Sequence, residues 1–244
     1  MEPITCDAIV VDIEGTTSAA SHVYDVLFPY ARRRLREWIA SHPDDPATAD
    51  AVARVAEQIN ASPEDIDAIV AELQRWIDQD IKAEPLKALQ GLIWSDGYAR
   101  GDLTSHVFDD VPASLAAWAD QGLLLAVYSS GSVAAQRALF ANAPGGDLNP
   151  LFSANFDLST AGPKKEPDSY RRISSALGIP ADRLLFLSDI QAEIDAARTA
   201  GWQAVGVLRA GEAQATVTGA PRLSRFDELA VVRAGRDDSR AGRT

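Results

Sequence analysis

The chain has one cysteine, Cys6, so it can close no disulfide within itself and build no thiolate metal cluster. Its three histidines, His22, His42 and His106, are too scattered along the sequence to read as one metal site. Basic residues are in deficit: 23 Lys and Arg stand against 35 Asp and Glu, a formal net charge of -12. A nucleic-acid binder needs a basic face, and this composition argues against one; it leaves room for a local positive pocket for a small anion. No apolar run approaches membrane-spanning length, so no membrane partner is expected. The opening residues Met1-Glu2-Pro3-Ile4-Thr5 lack the basic-then-apolar pattern of a secretory leader, which makes the cytoplasm the expected location. What is present is ordinary for a soluble globular protein: 244 residues, 46% hydrophobic and 24% charged. That is enough for one large domain, or for a core with a smaller satellite.

The stretch that organises the chain is Ala8-Ile9-Val10-Val11-Asp12-Ile13-Glu14-Gly15-Thr16-Thr17. Four apolar residues read as a buried strand, and Gly15 as the turn that releases the chain. From there to about Ser114 no second strand is convincing. Val23, Leu27, Tyr30, Leu35, Trp38 and Ile39 recur near helical spacing, with Arg32, Arg33, Arg34 and Arg36 on what reads as a solvated face. Asp45-Pro46 starts a second helix, and Ser62-Pro63-Glu64-Asp65 starts a third, with Asp65 at its third position. A fourth covers about Pro85 to Ser95. Trp38, Trp76 and Trp94 read as helix-packing residues. Residues 18–110 are therefore expected to be an all-helical insertion, and residues 1–17 with 111–232 the core. In the core, strands read at Leu123 to Tyr128, Leu184 to Leu187 and Ala204 to Leu208 alternate with helices, as in a parallel α/β sheet. The polar tail, residues 233–244, reads as disordered.

Three strands end in polar residues: Asp12 and Glu14, then Ser129 and Ser130, then Ser188 and Asp189. Open α/β sheets bind ligands at such carboxyl ends. A phosphoryl-transfer site needs a nucleophile, charge neutralisation, donors for the phosphoryl oxygens and an acid for the leaving group. Asp12 is the candidate nucleophile, and Glu14 a candidate acid or base. Asp12 and Asp189 offer hard oxygens for Mg²⁺, with the carbonyl of Glu14 as a third ligand. The hydroxyl of Ser130 and the amide of Gly131 can cradle phosphate before a helix, with Ser129 either beside them or only closing the strand. Lys164, in Gly162-Pro163-Lys164-Lys165-Glu166-Pro167, is the cation for phosphate and for the paired carboxylates, and Lys165 reads as a charged neighbour. Glu193 lies four residues after Asp189 and can hold a metal-bound water or orient Lys164, while Asp195 should point elsewhere.

At these residues the sequence resembles the haloacid dehalogenase-like hydrolase superfamily. Glu14 replaces the second aspartate usual in its first motif. That replacement resembles the enolase-phosphatase branch, the acireductone synthases of methionine salvage. Leu27-Phe28-Pro29-Tyr30, Tyr128-Ser129-Ser130-Gly131-Ser132-Val133 and Phe186-Leu187-Ser188-Asp189 with Glu193 agree with it. The resemblance implies a Rossmann-like core with a helical cap, and a monomer using one Mg²⁺ per chain. It also implies the enolisation and dephosphorylation of a small phosphate ester, 2,3-diketo-5-methylthiopentyl-1-phosphate. By the same resemblance Asp12 and Asp189 bind Mg²⁺ through side chains, Glu14 through its backbone, and Ser130 and Lys164 hold phosphate. The chain departs at Thr104, near which the branch leads one to expect a lysine, and at His22, where an aromatic is expected. Other readings of the same residues are a general Mg²⁺-dependent sugar-phosphate or nucleotide phosphatase, a non-catalytic phosphate-binding module, and a dehalogenase, which would have no use for the metal.

Overall fold

The computed structural model of the chain describes residues 2–212 and 216–234. In chain order its elements begin with β1 (Ile4–Cys6), β2 (Ala8–Val11), a π-helical turn (His22–Leu27), α1 (Phe28–Ser41), α2 (Pro46–Ile59), α3 (Ile66–Asp78) and α4 (Glu84–Ala99). They continue with α5 (Val111–Asp120), β3 (Leu124–Tyr128), α6 (Val133–Ala141), β4 (Ala154–Phe156), α7 (Pro167–Leu177) and β5 (Leu184–Ser188). The last are α8 (Gln191–Thr199), β6 (Gln203–Val207), β7 (Arg222–Leu223) and β8 (Val231–Arg233). Two compact units result: residues 1–18, 107–130 and 150–244, and residues 19–106 with 131–149.

The first unit is built on a six-stranded sheet in the order β4-β3-β2-β5-β6-β7, all parallel. Ala8, Ile9, Val10 and Val11 are fully buried, which is why β2 is an unbroken apolar run rather than an alternating one. Val11 stands opposite Val127 of β3 and Leu187 of β5. The chain steps outward from β2 to β3 and β4, then returns to the other side for β5, β6 and β7. Strand order thus reverses at β2, and the ligand-binding crevice of such sheets opens at that reversal. Asp12, Ser129 and Asp189 each follow directly on one of the three strands that meet there.

The sheet extends past the last strand legible in the sequence. β7 joins its edge, and β1 pairs in parallel with β8, Ile4 opposite Val231 and Cys6 opposite Arg233. Strands of two or three residues are too short to show an alternation. The tail expected from Arg233 starts inside β8, and the amide of Ala234 still donates to the Cys6 carbonyl at 3.1 Å. Residues 235–244 of that tail lie outside the described residues.

The second unit is all helical. Asp45 caps α2 by accepting from the Thr48 amide at 2.8 Å, and Pro46 fills the first position. α3 starts later than the expected cap at Ser62. Asp65 is itself the cap, accepting from the Ala68 amide at 3.0 Å, while Ser62 takes the Glu64 amide in the preceding turn. α4 runs on to Ala99, past the expected end at Ser95, and Gly97 in its last turns is a packing position, since a methyl there would collide with the Tyr30 ring. Leu35, Val55, Ile69, Leu73, Leu89 and Ile93 form the buried centre, with Trp76 and Trp94 packed among them. α6 is part of this unit and packs on α4. Among the described residues no helix is long and apolar enough to cross a membrane.

Candidate active site

Asp12 follows β2, and its amide donates to Leu187 O at 3.0 Å, so the neighbouring strand holds its backbone. The next residues fold tightly back. The amides of Thr16, Thr17 and Ser18 all donate to Ile13 O, Gly15 donates to Ser18 O, and Thr17 Oγ1 donates to Asp12 O at 3.1 Å. Gly15 sits at φ +74°, where a side chain is strained. A methyl there would also run into the Asp189 carboxylate. Gly15 therefore serves twice, as the turn residue and as the space that lets the loop after β2 lie against Asp189.

Lys164 crosses from the loop before α7 to meet Asp12. Its Nζ donates to Asp12 Oδ1 at 2.5 Å and pairs with Glu193 Oε2 at 2.8 Å. All three side chains are buried, at 3%, 8% and 8% exposure for Asp12, Lys164 and Glu193. Tyr170 OH donates to the Lys164 carbonyl at 2.8 Å, and Tyr128 OH to that of Gly162, so two core tyrosines hold the lysine loop. Ser188 Oγ donates at 2.9 Å to the same Glu193 Oε2 that pairs with Lys164, and the same hydroxyl accepts the Ile190 amide. The Lys164–Glu193 contact supports the orienting role, one of the two read for Glu193. Asp195 points away and accepts from Gln191 on the exposed face. Lys165 is exposed. Ser129 is buried and donates to Glu14 Oε2 at 3.1 Å, so it touches an acid and does more than close its strand.

The electrostatics follow from burial. Removal from water pushes the Asp12 carboxyl well above its usual range; the Lys164 charge opposes this, and the charges of Glu193, Glu14 and Asp189 add to it. Burial alone would lower Lys164, but Asp12, Glu193 and Glu14 outweigh it and hold the ammonium above its ordinary value. Asp189 is pushed up to about 6, by burial first and then by its acidic neighbours. Four carboxylates thus share one ammonium, and Asp189 Oδ1 is buried without a hydrogen-bond partner. A small hard cation suits such a set: surplus buried negative charge, an unsatisfied carboxylate oxygen, and a glycine backbone close by. No three Asp, Glu, His or Cys side chains among the described residues form a metal cage by themselves. A set of two carboxylates and a carbonyl falls below that count, and Mg²⁺ commonly completes its shell with water.

Not every expected residue is placed by this geometry. Ser130 is half-buried, and Gly131 opens the segment that belongs to the helical unit. The helix after them starts at Val133 and is capped by Ser132, which accepts from the Ala135 amide, so Ser130 lies two residues before the cap. Phe28 stacks near Trp94, and Tyr98 is buried within the helical unit. The histidines are less scattered than their sequence positions imply: His22 and His106 lie with ring centroids 6.0 Å apart in that unit.

Arg209, just beyond β6, and Asp110 were missed as site-supporting residues. They form a buried ion pair at 2.7 Å behind the loop that follows Asp12. The available signal was a lone arginine directly after the apolar run Ala204 to Leu208.

The chain is similar to known proteins along most of its length. A family model for haloacid dehalogenase-like hydrolases matches residues 6–201. A Streptomyces avermitilis protein named enolase-phosphatase E1 is 54% identical over 206 residues, covering 84% of this chain and 86% of its own. The Frankia alni protein of the same name is 48% identical and covers 93% and 96%. Among solved structures, the UTR4 protein of Saccharomyces cerevisiae superposes with a TM-score of 0.76 at 30% identity, over 92% of this chain and 100% of its own.

Proposed function

The chain belongs to the haloacid dehalogenase-like hydrolases and, within them, to the enolase-phosphatases, and from that premise we propose that it converts 2,3-diketo-5-methylthiopentyl-1-phosphate into 1,2-dihydroxy-3-keto-5-methylthiopentene and phosphate. The observation that carries this reading is the buried Asp12–Lys164–Glu193 contact at the strand reversal, in the loop where Glu14 stands two residues after Asp12.

The substrate's diketone makes its C1 protons acidic; a general base takes one to leave an enolate whose charge settles on the C2 oxygen, and the proton is returned to that oxygen to give the enol phosphate. Asp12 then attacks phosphorus, the bond from phosphorus to the C1 oxygen breaks, and Glu14 gives that oxygen a proton. Water next attacks the aspartyl-phosphate, giving its proton to the Glu14 carboxylate, so that phosphate is released and both Asp12 and Glu14 are restored. Lys164 holds the phosphoryl oxygens with Ser130 and Gly131, and Ser129 aims Glu14. Mg²⁺, one per chain, would be held by the carboxylates of Asp12 and Asp189 and the carbonyl of Glu14; when bound it supplies charge that offsets the carboxylates and polarises the phosphoryl group. The division of labour keeps the reacting groups in the sheet unit and puts the specificity residues in the cap at 18–110, while α6, expected in the core, belongs to the helical unit. The protein acts as a cytoplasmic monomer.

The test is to mix enzyme, Mg²⁺ and the diketo phosphate and follow ultraviolet absorbance and phosphate together. The expected result is a transient enol phosphate absorbance, then acireductone with stoichiometric phosphate. Phosphate released from the unenolised diketone, or much faster hydrolysis of ordinary sugar phosphates, would replace this reading by a general phosphatase.

A further inference from the structure

Arg209 takes no part in the chemistry just described, yet it is 5% exposed and carries its charge into the interior. Its Nη1 donates to both carboxylate oxygens of Asp110, at 2.7 and 2.8 Å, and to Ser224 O at 3.1 Å. Its Nε donates to the carbonyl of Thr16 at 2.8 Å. The guanidinium carbon lies 4.4 Å from the ring centre of Phe108 and 4.8 Å from that of Phe226. Asp110 in turn accepts the Phe226 amide at 2.6 Å.

The places gripped are specific. Thr16 lies on the passage by which the chain leaves the sheet unit, and Phe108 and Asp110 on the passage by which it returns. The two are tied to each other as well, since the Phe108 amide donates to Thr17 O at 3.0 Å. Thr17 Oγ1 donates to the carbonyl of Asp12 itself. One hydrogen-bonded path therefore runs from Arg209 through residues 16 and 17 to the backbone of Asp12. A buried ion pair is a poor way to gain stability, because desolvation offsets most of its attraction. Its geometry is another matter: a planar fork can fix several acceptors at once, which an ammonium on a flexible stem cannot.

We propose that Arg209 is a positioning residue for phosphoryl transfer, locking the Thr16 carbonyl to Asp110 so that the loop carrying Asp12 and Glu14 keeps its shape. This rests on Asp12 being the nucleophile. A group that only orients the nucleophile affects the chemical step and leaves substrate binding nearly alone.

The test compares Arg209→Lys, Arg209→Met and Asp12→Asn in the full chain with saturating Mg²⁺, reading kcat and KM for the diketo phosphate. Amide hydrogen exchange at residues 13–18 and in β2 is followed in parallel. For R209K and R209M, kcat should fall at least tenfold with KM within threefold, and exchange should quicken at 13–18 while β2 stays protected. Lysine can keep the bond to Asp110, so R209K should melt closer to the parent than R209M does, without recovering its kcat. If R209M does not fold, R209K alone decides. A folded R209K with kcat within twofold of the parent overturns the inference, as does equal loss of protection across β2 and the loop. D12N that still turns over overturns instead the nucleophile assignment, and with it the positioning role.

Discussion

The Nζ of Lys164 stands 2.5 Å from Oδ1 of Asp12, a contact between residues 152 positions apart. Glu193 lies on the other side of the same ammonium. Asp12 cannot be a buried carboxylate without that cation, because transfer of an unpaired charge from water is unfavourable by several kcal/mol. The lysine proposed to hold phosphate is thus also the charge that opposes the upward shift of the Asp12 carboxyl.

Replacing Lys164 by Met should therefore do more than abolish turnover. It leaves Asp12 and Glu193 buried without their cation, a loss of about 3–5 kcal/mol near neutral pH. The variant should regain stability as pH falls from neutral into the acid range. A carboxyl held above its usual value in the folded state takes up protons more readily than in the unfolded chain, so acid favours the fold. Urea unfolding of K164M across that range checks both claims; parent-like stability at pH 7 would mean that the carboxylates find other relief.

The same contact shows how far the sequence could be read. Asp12, Ser129, Ser188 and Asp189 were legible because each closes an apolar run that can only be a buried strand, and parallel strands bring such ends together. Lys164 stood out by its motif rather than by periodicity. The Arg209–Asp110 pair was not legible, since pairing across 99 residues depends on which loops the fold stacks behind the sheet. β1, β7 and β8 were too short to carry a pattern. Helix starts came through at Asp45-Pro46. They slipped at Ser62, where two capping residues compete for one helix start and the amide of Ala68 selects the nearer, Asp65.

Gly15→Ala tests whether Asp189 truly belongs to the site. The positive φ alone should lower stability by about 1–2 kcal/mol. The added methyl must also displace the Asp189 carboxylate. Turnover should consequently fall more than tenfold in protein that is still folded at the assay temperature. Melting curves paired with initial rates separate the two effects, and a stable G15A with rates within twofold of the parent would remove Asp189 from the reacting centre.

His22 should make the fold acid-sensitive. Burial, and secondarily the charge of His106, lower it to about 4, against an ordinary value of about 6.5. Between those values the unfolded chain binds a proton that the folded chain does not, so stability is full above about 6.5 and declines as pH drops toward about 4. The limiting contribution is about 3 kcal/mol. The ring's Nε2 is also buried without a partner, so His22→Phe removes an unsatisfied group together with the titration. From pH 7.5 to pH 5 the denaturant midpoint of H22F should fall less, or rise more, than that of the parent. An unchanged pH slope in H22F would place the acid sensitivity elsewhere.

Variants at Glu14 test whether the two halves of the proposed reaction can be separated. Its Oε2 accepts from Ser129 Oγ at 3.1 Å, so its carboxylate is held by the neighbouring strand end, two residues from Asp12 in the chain. Aspartate is one methylene shorter and withdraws the carboxylate by about 1.5 Å, enough to break that hydrogen bond. If Glu14 protonates the leaving oxygen, E14D should slow phosphate release by about a hundredfold, the scale of general acid catalysis. The enol phosphate absorbance should still rise, and should now persist instead of passing. Ser129→Ala should show the same accumulation more weakly, because Glu14 keeps its length but loses its guide. Stopped-flow absorbance with quenched phosphate assays resolves the two steps. Should E14D suppress the absorbance and phosphate equally, Glu14 also takes the C1 proton, and a single carboxylate would then remove a proton from carbon in one step and return one to oxygen in the next.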